Sequence, residues 1–257
     1  MSSRSRHADG SRRGLTAAVT LLASTALSAA VPAVEHTAPM RGFFTRYLDC
    51  GGIPIRSSDA VVDEALQIAC AKVSRMLAGV PAMRANLSRR GSELHIIGRR
   101  EVTSDLPEFR SQRGRYYVDN RGHLTTIDER TRGKGGAPYA SCGEENLLQL
   151  PEDRYAGGPD ICVHEFAHTV MLLGLSAPQR QRIEEQYHRA MAEGLWKDAY
   201  AATNAGEYWA ELSMWYFGGH ANGARRSGNV PGPGRPGLRS YDPGGFALVD
   251  DLYGAAP

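Results

Sequence analysis

The stretch "PDICVHEFAHTVM", residues 159–171, decides the reading of this chain, because it spells His164-Glu165-Phe166-Ala167-His168. Pro159-Asp160 predicts a helix start with Asp160 as N-cap, and the helix should run through His168 to about Leu173 and stop near Gly174. Residues four apart share a helix face, so His164 and His168 can aim imidazole nitrogens at one point. Glu165 falls about 100° round the helix. There it can contact a metal-bound water without taking a ligand position. Imidazole is a borderline-soft ligand that suits zinc, and a catalytic zinc site needs three protein ligands plus one open position. The alternative is that both histidines are core residues of a buried helix.

The third ligand sets the class. An extended HExxHxxGxxH pattern fails, since Met171 stands where Gly is required and Gly174 where His is required. Downstream, Glu207 and Glu211 lie four apart in "GEYWAELSMW". One carboxylate can bind zinc while the other, a turn on, accepts a hydrogen bond from the second nitrogen of a zinc-bound imidazole and fixes its tautomer. We assign Glu207 as the ligand and Glu211 as the orienting group for His164. "NAGE" also fits an N-cap Asn204 with Glu207 at N3 of a capping box, and Glu211 also fits a solvent-facing helix position. Tyr208, Leu212 and Trp215 form one stripe of this helix, with Trp209 and Tyr216 adjacent, and are expected in the core.

Upstream, "SSDAVVDEALQIACAKVSRMLAG" reads as a helix closed by Gly79, and a short helix should follow from Pro81 to Leu87. "SELHIIG" reads as a strand, and "RYYVDNRGHLTTI" as a hairpin turned at Asn120-Arg121-Gly122. "RTRGKGGAP" is expected to be a loop. "EENLLQL" reads as an edge strand or a helical turn. Ser176 and Pro178 open another helix that ends near Gly194. Residues 218–240, rich in Gly, Pro and Arg, are expected as a loop, and "DPGGFALVDDLYG" as a short docking helix. His95, His123, His188 and His220 have no metal-ligand spacing and read as structural or exposed.

The chain begins differently. Arg4, Arg6, Arg12 and Arg13 precede the uncharged run "GLTAAVTLLASTALSAAVPAV", the pattern of a secretory signal with cleavage after Ala30 or Ala33. "SRRGL" also resembles a twin-arginine export signal, and an uncleaved anchor is the competing reading. Residues 1–33 carry net +3 and the whole chain +2, which leaves the remainder at −1. The basic pI therefore comes from the signal, and the rest of the chain gives no case for nucleic acid or for stable membrane insertion. The expected organisation is a signal over 1–33, a linker over 34–42 and one domain over 43–257. In an exported protein the four cysteines read as disulfides. The two sequence-local pairings, Cys50–Cys70 and Cys142–Cys162, are favoured.

"VHEFAHTV" followed by "YAATNAGEYWAEL" resembles the catalytic domain of the anthrax lethal factor group of gluzincin metallopeptidases. The shared features are a Tyr seven residues before the ligand Glu, an Asn just before that helix, and an aromatic pair leading into Ala-Glu. The resemblance covers about residues 160–217 and only loosely the part before. It implies a zincin-like α+β fold, with a small mixed sheet, an active-site helix and a mostly helical C-terminal half. It also implies one zinc per chain held by His164, His168 and Glu207, with Glu165 as base and Tyr200 as oxyanion stabiliser. From the residues alone, Tyr200 could equally pack on Trp196. The large docking domains of such a toxin are missing, so its substrate does not carry over. The function expected is a secreted zinc peptidase acting on a peptide or protein, with Glu165 deprotonating the water at the metal. The alternative is an inactive zinc-binding or partner-binding extracellular domain. "CGEENLLQL" is the expected edge strand for an extended substrate, with Glu144-Glu145 alternatively a solvated turn.

Overall fold

The computed structural model describes Met1 and residues 32–119, 122–155, 157–218 and 229–254. The chain divides into two compact units, Met1–Ala30 and Val31–Pro257. Apart from Met1 and residues 32 and 33, the predicted export signal lies outside the described residues, as do His220 and the tip of the 116–126 hairpin. The second unit is described here.

Its strands begin with β1 (Glu35–Met40), β2 (Phe44–Asp49) and β3 (Pro54–Ser57). Helices α1 (Asp63–Met76) and α2 (Pro81–Arg89) lead to β4 (Glu93–Ile97), which lies parallel to β3. The chain then forms a separate hairpin, β5 (Tyr116–Val118) and β6 (Leu124–Thr126), followed by the one-turn helix α3 (Ile127–Arg130). It returns to the sheet as β7 (Gly133–Lys134) and β8 (Tyr139–Gly143) and turns once as α4 (Glu144–Leu147). The remainder is helical: α5 (Ile161–Thr169), α6 (Ala177–Ala192), α7 (Ala205–Tyr216), α8 (Gly234–Tyr241) and α9 (Pro243–Leu252). Sheet order is β1-β2-β3-β4-β8-β7, with β3, β4 and β8 parallel and the outer pairs antiparallel.

The central strands explain this order. Leu94 to Ile97 and Ala140 to Gly143 are buried without alternation, as strands covered on both faces must be. On α1, Ala65, Leu66, Ala69, Val73 and Met76 recur at helical spacing and are buried. Each large side chain among them contributes about 1.5–3 kcal/mol of burial. The disulfide Cys50–Cys70 ties the turn after β2 to α1, and Cys142–Cys162 ties β8 to α5. No helix among the described residues is long and apolar enough to cross a membrane.

Five expectations need correction. Residues 34–42, expected as a linker, contain β1, which pairs antiparallel with β2. Every β1 residue is exposed, so its backbone pairing leaves no hydrophobic alternation to read. The "RTRGKGGAP" loop contributes the edge strand β7, whose glycine carries no side-chain pattern. "EENLLQL" forms the helical turn α4, and β8 before it is interior, so this segment is not the edge of the sheet. Glu144 and Glu145 are buried, not solvated: Glu144 accepts from the Val62 and Arg99 backbone N–H groups, and Glu145 is gripped by Arg132 at 2.6 and 2.7 Å. Within the expected 218–240 loop, residues 234–241 form α8. Pro236 sits in its first turn, where no N–H partner is needed. Gly237 is there because a Cβ would lie 1.9 Å from the Gly232 carbonyl oxygen.

Candidate metal centre

The start of α5 is fixed by several groups at once. The Asp160 carboxylate accepts the Val163 N–H at 3.2 Å and pairs with Lys72. Asn146 accepts the Ile161 N–H at 2.9 Å and donates to the Pro159 carbonyl at 3.0 Å. The Cys142–Cys162 bridge ties the first turn to the end of β8. Val163, Phe166, Ala167 and Val170 fill the core faces, leaving His164, Glu165 and His168 on the remaining arc. The helix then widens into a π-helical turn, Val170–Gly174, a device often found beside functional residues.

Helix α7 brings the acids. The Asn204 side chain caps it by accepting the Glu207 N–H at 2.9 Å. The reciprocal half of a capping box is not made; the Glu207 carboxylate turns to the histidines instead. The Trp209 indole N–H donates to the Ala167 carbonyl at 2.8 Å and fixes α7 against α5.

The result is a tight cluster. His164 Nε2 lies 3.1 Å from Glu207 Oε2, His168 Nε2 lies 3.3 Å from the same oxygen, and the two Nε2 atoms are 3.3 Å apart. On the far side of the first ring, His164 Nδ1 lies 3.2 Å from Glu211 Oε1. Tyr200 lies beside the cluster in a 3₁₀ turn, Tyr200–Ala202, its ring 6.0 Å from His164 and its hydroxyl hydrogen-bonded to Glu207. Trp196 packs on Tyr208, Trp215 and Tyr241. Glu165 is partly buried beside them. The stripe of α7 expected in the core, from Tyr208 to Tyr216, is fully buried.

The electrostatics show what the cluster favours. Burial disfavours a charged His164, yet hydrogen bonds to Glu207 and Glu211 outweigh it and push its pKa up to about 10. Glu207 is held well below the usual carboxylate range: burial opposes its charge, and the two imidazoles overcome that. Tyr200 is pushed up by burial and by the negative charges of Glu207 and Glu165. Three carboxylates around two imidazoles favour positive charge between them. A cation answers the same demand. Three donors about 2.0–2.1 Å from a tetrahedral zinc lie about 3.3 Å apart, so the His164, His168 and Glu207 atoms have the spacing zinc requires.

Several supporting residues carried no signal in the sequence. Buried Asp242 accepts the Trp196 indole N–H at 2.9 Å, the Tyr208 hydroxyl at 2.6 Å and the Gly245 N–H at 2.7 Å. It thereby joins α9, α7 and the loop before Tyr200. In that loop Trp196 and Asp198 adopt left-handed backbone at φ 59° and 61°, a cost of about 1 kcal/mol each that burial of the Trp196 side chain offsets. The segment 133–136 lies directly on α5. A Cβ at Gly135 would stand 2.6 Å from the Glu165 carbonyl oxygen and from His168 Cβ, and one at Gly133 would stand 3.1 Å from Glu165 Cγ. Tyr155, whose side chain is hydrogen-bonded by the Arg132 backbone, senses the charge of Glu165 and so sits on the same side. The remaining histidines sit apart: His95 is buried between Glu93 and Glu108, while His123 and His188 are exposed.

No protein-family model and no curated protein matches this chain. Among solved structures it is similar to the Pro-Pro endopeptidase from Paenibacillus alvei, with a TM-score of 0.52 and 15% identity, over 77% of this chain and 95% of that one. The two chains share a fold. At this identity the likeness speaks for the architecture, and the chemistry has to be argued from the side chains.

Proposed function

We propose that this protein is a secreted zinc peptidase of the gluzincin type, as the resemblance to the lethal factor catalytic domain group implies. The observation that carries the reading is the triangle of His164 Nε2, His168 Nε2 and Glu207 Oε2, with sides of 3.1 to 3.3 Å. Donor atoms of His164, Glu165 and His168 also fall within 4.8 Å of one another. That set is looser than the triangle, and a Glu165 spent as a ligand would leave no base. We therefore assign Glu207 as the third ligand. The fold shared with a known endopeptidase is compatible with this reading.

The chemistry supplied by zinc in such a site is Lewis acidity, which acidifies water and polarises a carbonyl. The residues of this chain do the rest. His164, His168 and Glu207 would hold the ion, and Glu211 would keep His164 in the tautomer whose Nε2 is free to donate to metal. Glu165 removes the proton from the attacking water as its oxygen bonds to the peptide carbonyl carbon. The Tyr200 hydroxyl is protonated at neutral pH, because its pKa is raised, and it donates to the developing oxyanion. As the C–N bond breaks, Glu165 returns the proton to the leaving amine. An extended substrate would lie along the free edge of β7, next to Glu165, by pairing with backbone groups. The two disulfides are compatible with an extracellular setting.

The test is turnover of a peptide library by the zinc-loaded protein and by Glu165→Gln. The variant should keep about one zinc per chain while cleavage falls by at least about a thousandfold. Undiminished cleavage by Glu165→Gln would remove Glu165 from its role.

A further inference from the structure

The stretch from Arg110 to Lys134 stands apart in charge. It holds seven Lys and Arg against three Asp and Glu, net +4, whereas residues 34–257 as a whole carry −1. The rest of that unit is therefore at −5. Charge runs are usually solvated faces of no consequence, but three features set this one apart.

The first is its place. Asp119, just after β5, pairs with Arg130 at 3.4 Å and so ties the hairpin to the end of α3. The Arg130 charge acts on both Tyr155 and Tyr200, which sense Glu165 as well. Three residues later Gly133 touches Glu165. The Arg130–Gly133 end of the basic stretch therefore borders the metal centre, and Asp119 ties the hairpin to that end.

The second is its exposure. Lys134 projects from the free edge of the sheet, and Arg115 opens the hairpin; both are exposed, and among the described residues neither makes an ion pair. The third is an apolar face. Tyr116 and Val118 alternate onto one side of the hairpin, and Leu124 pairs with Val118 on that side. They are 67%, 64% and 68% exposed. Apolar side chains so placed mark a contact surface rather than a solvated charge run.

We propose that this basic lip, formed by the β5–β6 hairpin, α3 and β7, is a docking surface for an acidic segment of the polypeptide substrate flanking the cleaved bond. The proposal rests on the peptidase reading above and adds the chemical class of its substrate. Carboxylates of the segment meet Arg115, Arg130 and Lys134, and apolar side chains between them settle on Tyr116, Val118 and Leu124. An anionic lipid surface would offer the same charge. However, the Arg130 side chain is only 30% exposed, beside Tyr155 and Tyr200, where an extended chain reaches and a flat bilayer does not.

The experiment uses the full zinc-loaded protein and three fluorescent peptides with one shared centre and Glu, Ser or Lys flanks. Binding to Glu165→Gln is read by anisotropy, and kcat/KM is read on the wild type. The Glu-flanked peptide should be favoured over the Lys-flanked one by about tenfold or more at low salt, and the preference should collapse near 0.5 M salt, where screening is about 4 Å. The double charge reversal Arg115→Glu with Lys134→Glu should erase or invert it, the milder Arg115→Gln with Lys134→Gln should halve it on a logarithmic scale, and Arg90→Glu, at the exposed C-cap of α2, should leave the ratio alone. Equal binding of the three peptides, or a preference that survives charge reversal, would overturn the proposal. So would sedimentation with phosphatidylglycerol vesicles accompanied by no peptide preference. Preferential binding of the Glu-flanked peptide with no cleavage of any would uphold the docking surface while removing the peptidase reading.

Discussion

At the scale of single residues, the protonation of His164 is the most telling feature of the centre. Its ring is buried between two carboxylates, and its pKa rises from the ordinary 6.5 to about 10. In chelator-treated protein the folded state therefore holds a proton that the unfolded chain gives up above about pH 6.5. The stabilisation is complete below that pH and is lost as pH rises through about 10. Denaturant midpoints of the metal-free protein should accordingly fall between pH 7 and pH 10, and zinc should both abolish that slope and release a proton on binding near pH 8. A flat profile without metal would mean that His164 is neutral in the fold. The residues of this cluster were legible because the requirements are local: imidazoles four apart on one helix, and carboxylates four apart on another. Asp242, Asn146 and Arg132 were not legible. Each acts across the chain on backbone groups or rings far away in sequence, and nothing in "SYDPGG", "EENLL" or "RTRGK" announces its partner.

At the scale of elements, helices with capping residues and an apolar stripe were readable from the sequence, while elements held by backbone pairing alone were not. Helix α6 declares itself through the Ser176–Gln179 capping box, and α7 through Asn204. Strand β1 has no buried side chain, and β7 is two residues long. What makes β7 and its sequel necessary is visible only in three dimensions, where the glycines allow the edge of the sheet to lie on α5. Gly135→Ala should therefore force the edge away from Glu165 and His168, at a cost of about 1–3 kcal/mol in stability and a larger proportional loss of activity than of zinc content. Thermal unfolding together with metal analysis checks this. A variant as stable and active as wild type would show that the close approach is not needed.

At the scale of the whole molecule, the sheet with its parallel centre carries α1 and α5, and α7 delivers Glu207 to both imidazoles and Glu211 to that of His164. The mixed α+β architecture expected from the sequence is what the structure has, since long helices and buried strands leave strong patterns, whereas sheet order depends on pairings that composition does not encode. The fold is shared with a Pro-Pro endopeptidase, and the chemistry proposed for this chain rests on the geometry of its own centre. The most direct test is the metal content of the protein starting near Val34, by elemental analysis, with Glu207→Ala measured beside it. The account predicts about one zinc per chain in the wild type and a loss or marked weakening in the variant. Folded wild-type protein that takes up no zinc, or a variant that holds it as tightly, would contradict the three-ligand centre and the peptidase reading built on it.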